Sequence, residues 1–392
     1  MLTSIALIFL FGLMSAWLMK KLGLPGLVGM LLTGIALGPD VLNLLDGTLL
    51  GISADLRQIA LLIILTRAGL TLDLKDLKKV GRPAVLMCFV PACFELLGMV
   101  LAAPPLLGIS RLEAAVMGSV VAAVSPAVIV PRMIRMIEEG RGQRHSLPQL
   151  ILAGASVDDV FVIVVFTMFS SLAATGEGSA LSLLQVPVSI ALGLAAGLLL
   201  GRALSVLAKR FHIRDTEKLM ILLALSFLLV ALQNAAEGIV PFSGLLAVMG
   251  TGIALRKHYP VLADRLSTRY NKLWVAAETC LFVLVGAAVK LDYAVSAGPA
   301  AALCVLLALA FRVAGVLVCV AFTGFSRKEK LFCVISYLPK ATVQAAIGAV
   351  PLSMGLACGD IVLTVAVLSI LITAPVGAAL IDRFAPRLLT DV

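Results

Sequence analysis

The stretch GASVDDVFVIVVF, residues 154–166, places Asp158 and Asp159 side by side in an otherwise apolar run from Leu147 to Ala174. About 20 predominantly apolar residues suffice to cross a bilayer as a helix. The run therefore predicts a membrane helix with two carboxylates halfway along it. A carboxylate at that depth costs roughly 3 kcal/mol on insertion scales. Helix neighbours lie about 100° apart, which lets both aspartates border one interior cavity while the rest of the helix faces protein or lipid. A helix needs no acid to be a helix. The pair is read as a binding site.

The surrounding composition demands a membrane. Of 392 residues, 61% are hydrophobic and 14% charged, with a mean hydropathy of +1.11. No soluble domain buries that much apolar surface, so the fold class is an all-α polytopic membrane protein. Loops and tails are short, which leaves no stretch for an extramembrane domain. A net charge of +9 would suit nucleic acid in a soluble chain. Here Lys and Arg gather in the loops on one side, and no nucleic-acid partner is expected. The seven cysteines, Cys88 to Cys358, are scattered through apolar runs without CxxC spacing. They read as small core residues rather than disulfides or metal ligands. His145, His212 and His258 all fall in basic loops, which argues against a histidine metal site. No GxxxxGK[ST] loop occurs, so neither nucleotide-driven pumping nor a bound cofactor is expected.

Thirteen apolar spans succeed one another: six between residues 2 and 174, a seventh at 184–208, and six between 218 and 381. The first is followed, not preceded, by Lys20 and Lys21, the reverse of a secretory signal. Charge then alternates from loop to loop. Basic loops fall at 20–21, 75–82, 132–144, 209–218, 256–272 and 327–330, with Arg383 and Arg387 in the tail. The intervening loops carry Asp40, Asp46, Asp55, Glu177, Glu237 and Asp360 and few basic residues. By the positive-inside rule the N-terminus lies outside and the C-terminus in the cytoplasm of a cell (inner or plasma) membrane.

Six, one and six spans make two inverted six-helix repeats, because an odd linker reverses the second half. The fifth span of the first half is interrupted by AVSPAVIVP (Ala123 to Pro131), and that of the second half by YLPKATVQ (Tyr337 to Gln344). Proline removes a backbone bond mid-helix. Pro126 and Pro339 mark the breaks, with Ser125, Thr342 and Gln344 able to hold the freed groups. Paired broken helices point to a midplane ion or substrate site. The fourth spans add Glu95 and Arg312 at corresponding places. An arginine stays protonated and needs a carboxylate. A Glu95–Arg312 pair bracing the core is expected, with an Arg312–Asp158 pair as the competing assignment. Lys340 is expected to face the negative C-terminal ends of half-helices. Arg67 snorkels near its span end, and Glu278 reads as an interfacial carboxylate.

Carboxylates without a positive partner of their own, beside hydroxyl and backbone oxygens, describe a hard cation site for Na⁺ or Li⁺. Asp159, Asp158, Ser125 and Thr342 are its candidate ligands. A proton competes for the same oxygens, and competition at one site facing each side in turn is enough for exchange. An intramembrane aspartyl protease needs two aspartates on separate helices, usually one in a GxGD run. Neither condition is met, so no enzymatic activity is expected. An ion channel or sensor is the remaining alternative of another class.

Five stretches also carry a resemblance: LPGLVGMLLTGIALGP (Leu24 to Pro39), RAGLTLD (Arg67 to Asp73), AVSPAVIVP, ASVDDV (Ala155 to Val160) and YLPKATVQAAIG (Tyr337 to Gly348). They resemble the cation/proton antiporter superfamily, with its NhaA- and NapA-type members, and most closely its NHA-type sodium/proton exchangers. The resemblance implies monovalent cation and proton antiport in pH homeostasis, by elevator-like alternating access. It implies a homodimer built on a scaffold at 1–80 and 210–296, a moving core at 81–175 and 297–392, and a linker helix at 183–209. It makes Asp159 the principal ion carboxylate and Asp158 its companion. Arg312 stands where NapA-type proteins have lysine, so their stoichiometry does not carry over. K⁺/H⁺ exchange and Na⁺-coupled uptake of an organic anion remain alternatives on this fold.

Overall fold

Apolar runs punctuated by proline and glycine become helices throughout the computed structural model. It describes residues 1–71, 81–142, 144–174, 180–211, 213–236 and 240–389, the side chains at 156, 180–187, 293, 294 and 296 excepted. Most of the loop at 75–82, and Asp73, Glu177, His212 and Glu237, lie outside the described residues. Among those described, all regular structure is α-helical. Among the described residues, eight helices are long and apolar enough to cross a membrane. The chain divides into two compact units, Met1–Ala54 with Lys75–Phe169 and Leu281–Val392, and Asp55–Leu74 with Ser170–Cys280.

In the larger unit the glutamate helix (Val90–Leu107) lies along the arginine helix (Leu291–Val320). Small residues permit the approach: Gly98 meets the Phe311 ring, and Gly315 meets Pro91 and Phe94. Close backbone contact of this kind substitutes for the hydrophobic drive that lipid does not supply. The last helix, Gly359–Leu388, packs on the arginine helix and on both broken helices.

Two helices stop in the protein interior and restart. The first runs Arg111–Val121 and resumes as Pro126–Glu138; the second runs Arg327–Ser336 and resumes as Thr342–Ile347. The residue before a proline is pushed out of the helical region, and Ser125 is extended at φ −89°, ψ 110°. Pro126 then occupies the first helical position, where no N–H is required. Both broken helices start alike. Ser110 and Glu113 form a reciprocal capping box at the head of one, Ser326 and Glu329 at the head of the other.

In the smaller unit the helix Ala180–Arg210 lies on Gly244–His258. Gly193, Gly197 and Gly201, one turn apart, sit against the backbone at Ser243, Ala247 and Thr251. Hydroxyls along these helices return to their own backbone, as Thr251 Oγ1 does to Ala247 O at 2.8 Å. A β-carbon at position 197 would strike the Ala247 carbonyl oxygen. Gly197→Leu is expected to destabilise the protein by about 1–3 kcal/mol, the range for overpacking. A lowered midpoint in thermal unfolding of the purified protein would register it, with Leu199→Ala on the exposed face as the neutral control.

Candidate functional site

Arg312 is fully buried, and its guanidinium reaches four segments at once. Nε donates to the Tyr337 carbonyl at 2.6 Å. Nη1 donates to Glu95 Oε2 at 2.7 Å and to the Ala122 carbonyl. Nη2 donates to Asp158 Oδ2 at 3.1 Å. One side chain thus ties the glutamate helix, the aspartate helix and both breaks together. The planar fork of donors makes this possible where a lysine would present a single point charge. The two assignments weighed for Arg312 are both realised, so Asp158 is not one of a pair of carboxylates without a positive partner. The Lys340 ammonium goes to Glu95 Oε2 at 2.5 Å rather than to a helix end.

The breaks free backbone groups that lipid cannot satisfy, and the neighbouring polar groups take them up. Gln344 Nε2 donates to Val121 O at 3.1 Å and Ala123 O at 2.8 Å, while its Oε1 accepts from the Ala341 N–H at 2.8 Å. The Val124 N–H donates to Asp158 Oδ2 at 2.8 Å. The Ser125 N–H donates to the Pro339 carbonyl at 2.8 Å, so the breaks bond directly to one another. The Lys340 N–H donates to Thr373 Oγ1 at 2.8 Å. Gly377, one turn further along the same helix, makes room for the Pro339 ring.

What these bonds leave open is a set of acceptor oxygens. Ser125 Oγ, Asp158 Oδ1 and Asp159 Oδ1 are buried and have no hydrogen-bond partner among the described residues. Ser125 follows Val124, the residue bonded to Asp158, so the hydroxyl and the aspartate pair belong to one locality. Thr342 is buried at the first position of its helix and makes no hydrogen bond to either aspartate among the described residues. With all five groups ionised, Glu95, Asp158 and Asp159 oppose Arg312 and Lys340, three charges against two. One negative charge is left over, and Asp159 is the acid without an ion pair among the described residues.

Three participants went unnamed as site residues in the sequence. Tyr337 stands inside the quoted YLPKATVQ run but acts through its carbonyl, which side-chain identity does not reveal. Thr373 is the last of three hydroxyls in the final span, after Thr364 and Ser369, and stands just before Ala374 and Pro375, a polar interruption that could have flagged it. Gly154 lies one turn before Asp158 and leaves the space that the Tyr337 hydroxyl occupies.

A buried charge network spanning two interrupted helices belongs to a helical, polytopic membrane protein, and comparison with known proteins narrows the class. Residues 5–384 match the sodium/hydrogen exchanger transmembrane family, and the chain belongs to that family. It is 35% identical over 387 residues to human sodium/hydrogen exchanger 9B2, covering 94% of this chain and 70% of that protein. Human sodium/hydrogen exchanger 9B1 is 31% identical over 382 residues, covering 94% and 73%. The structure of the sodium proton antiporter MjNhaP1 from Methanocaldococcus jannaschii at pH 8 has the same fold. Its TM-score is 0.85 at 21% identity, over 99% of this chain and 98% of that one.

Removing one member of a buried ion pair strands its partners, at about 3–5 kcal/mol. Glu95→Gln, which leaves Arg312 and Lys340 sharing one fewer carboxylate, is expected to destabilise by that amount. Adding Lys340→Met to it should restore part of the loss, because the pair is coupled. Thermal unfolding of the two single variants and the double variant checks this, and strict additivity would contradict the pairing.

Proposed function

We propose that the chain is a secondary antiporter exchanging Na⁺ or Li⁺ for H⁺, with ion and proton competing for the Asp158–Asp159 pair. The observation that carries the proposal is the buried Asp159 carboxylate, without an ion pair among the described residues, next to an aspartate already matched by a guanidinium, where two broken helices meet. The relatives named above are called sodium/hydrogen exchangers, in keeping with this reading. Asp159 is the exchangeable ligand. Asp158 Oδ1 and Ser125 Oγ complete the ion's oxygen set, with Thr342 at the edge. Glu95 and Arg312 form the structural pair, and Pro126, Pro339, Lys340 and Gln344 hold the breaks open.

The proposal extends to the whole architecture. Thirteen spans in two inverted repeats, N-terminus outside and C-terminus cytoplasmic in the cell membrane, are supported by the same Ser-Arg-x-Glu capping box at residues 110–113 and 326–329. A core at 81–175 and 297–392 moves in elevator fashion against a dimeric scaffold at 1–80 and 210–296, joined by the linker at 183–209. A single surplus negative charge is neutralised equally by one alkali ion or one proton. The exchange is accordingly one for one and moves no net charge.

Proteoliposomes with an imposed pH gradient should show Na⁺- or Li⁺-dependent dequenching of a pH dye. Asp159→Asn should abolish it. A full response in that variant, or none in the wild type, overturns the reading. Competition also fixes a sign: raising pH removes protons from the shared oxygens, so the apparent KM for Na⁺ should fall. The steepest slope expected for a single shared proton is about tenfold per pH unit. A KM independent of pH would contradict it. Clamping the membrane potential with valinomycin and K⁺ should leave the initial rate unchanged, whereas a potential-dependent rate would mean that net charge moves.

A further inference from the structure

A second arginine, Arg57, is buried in the smaller unit, and nothing among the described residues answers it. It is the fifth residue of the helix Ser53–Thr71, at the end away from the basic loop at 75–82, and is 7% exposed. Its Nη1 has no hydrogen-bond partner, and its guanidinium enters no ion pair among the described residues. Arg312, by contrast, reaches four oxygens. The described acids of the smaller unit are engaged elsewhere. Asp215 serves Arg265 and Arg269, and Asp264 pairs with Arg256. Glu217 accepts from the Arg214 N–H, and Glu278 attracts Arg67. Asp55 stands two residues before Arg57, which is about 200° round the helix, and it is exposed. An arginine does not neutralise itself by losing its proton, and a buried charge without a partner is strongly destabilising. The missing counter-charge comes from outside the chain.

The surroundings say what kind of anion fits. Ser53 lies four residues earlier on the same helix face and offers a hydroxyl. The 19-residue helix begins there, so its positive end favours negative charge at the same place. Neither feature adds a full charge, and the locality carries one positive charge in all. A monovalent anion cancels it, whereas a divalent one leaves a surplus negative charge in a poorly solvated site. With so little of the side chain exposed, a lipid headgroup or an organic acid is too bulky to reach the guanidinium. We infer that Arg57 binds a small monovalent anion of the chloride class, with the Ser53 hydroxyl and the positive helix end as its other attractions. The site shares no residue with the aspartate pair or the broken helices, and it stands whether or not the exchange reading does.

The test follows thermal unfolding of the purified full-length protein in a neutral detergent while chloride replaces gluconate at fixed Na⁺ concentration and pH. An anion that binds the folded state alone raises the midpoint saturably, by about 2 °C at ten times the half-saturating concentration. Bromide should act as chloride does. Arg57→Met removes the guanidinium and should leave the midpoint indifferent to chloride. Arg57→Lys keeps the charge without the planar fork and should respond only at several-fold higher chloride. Crystals of the wild-type protein soaked in bromide give a readout that needs no variant: anomalous scattering should place an ion at the Arg57 guanidinium. A wild-type midpoint that ignores chloride, or an undiminished response in Arg57→Met, overturns the inference. So does a bromide-soaked crystal in which a carboxylate, and no ion, sits on Arg57. A saturable rise with sulfate but not with chloride overturns the monovalent assignment.

Discussion

A guanidinium carried into the middle of an apolar protein is the constraint on which the rest depends. Arg312 cannot shed its proton, so each of its three nitrogens must find an oxygen or the fold loses several kcal/mol. Carboxylates of Glu95 and Asp158 supply two of those oxygens, and carbonyls of Ala122 and Tyr337 supply the others. The carbonyls are available only because the helices that own them stop. Breaks and arginine therefore require one another. An intact helix would have consumed Ala122 O and Tyr337 O in its own ladder, and an unbonded break in hydrocarbon would be equally costly.

The same logic explains why Gln344 is a glutamine. It must accept from one break (Ala341 N–H) and donate to the other (Val121 O and Ala123 O). A neutral amide supplies the acceptor and the two donors this needs, whereas a hydroxyl has a single donor. A glutamate would lack the donors and a lysine the acceptor, and either would alter the charge count. With Ser125 bonded to Pro339 and Gln344 bridging, the crossing segments form one cross-linked piece, and the oxygens it leaves unbonded are the ones a cation can claim.

Much of this was legible in the sequence, for identifiable reasons. Asp158, Asp159, Glu95, Arg312 and Lys340 stand out because charge in an apolar run is expensive, and Pro126 and Pro339 because they lack a donor. The resemblance to the family rests on five motifs, three of which carry Pro126, Asp158, Asp159, Pro339 and Lys340, and residues 5–384 match the exchanger family. The partners were harder. Lys340 was expected at a helix end, yet it lies on Glu95, because three-dimensional distance and not helix polarity decides where an ammonium goes. Arg312 was assigned one carboxylate or the other, whereas its two terminal nitrogens reach both. Tyr337, contributing a carbonyl, and Gly154, contributing an empty space, act through features that residue type does not announce.

The glycine row at 193, 197 and 201 bears on mechanics. At these three rungs backbone rests directly on the backbone at Ser243, Ala247 and Thr251, and a glycine has no rotamer to yield there under load. Such a pair behaves as a plank: strain applied at one rung reaches the others undiminished. Elastic compliance, wherever this molecule keeps it, is not stored between these two rods.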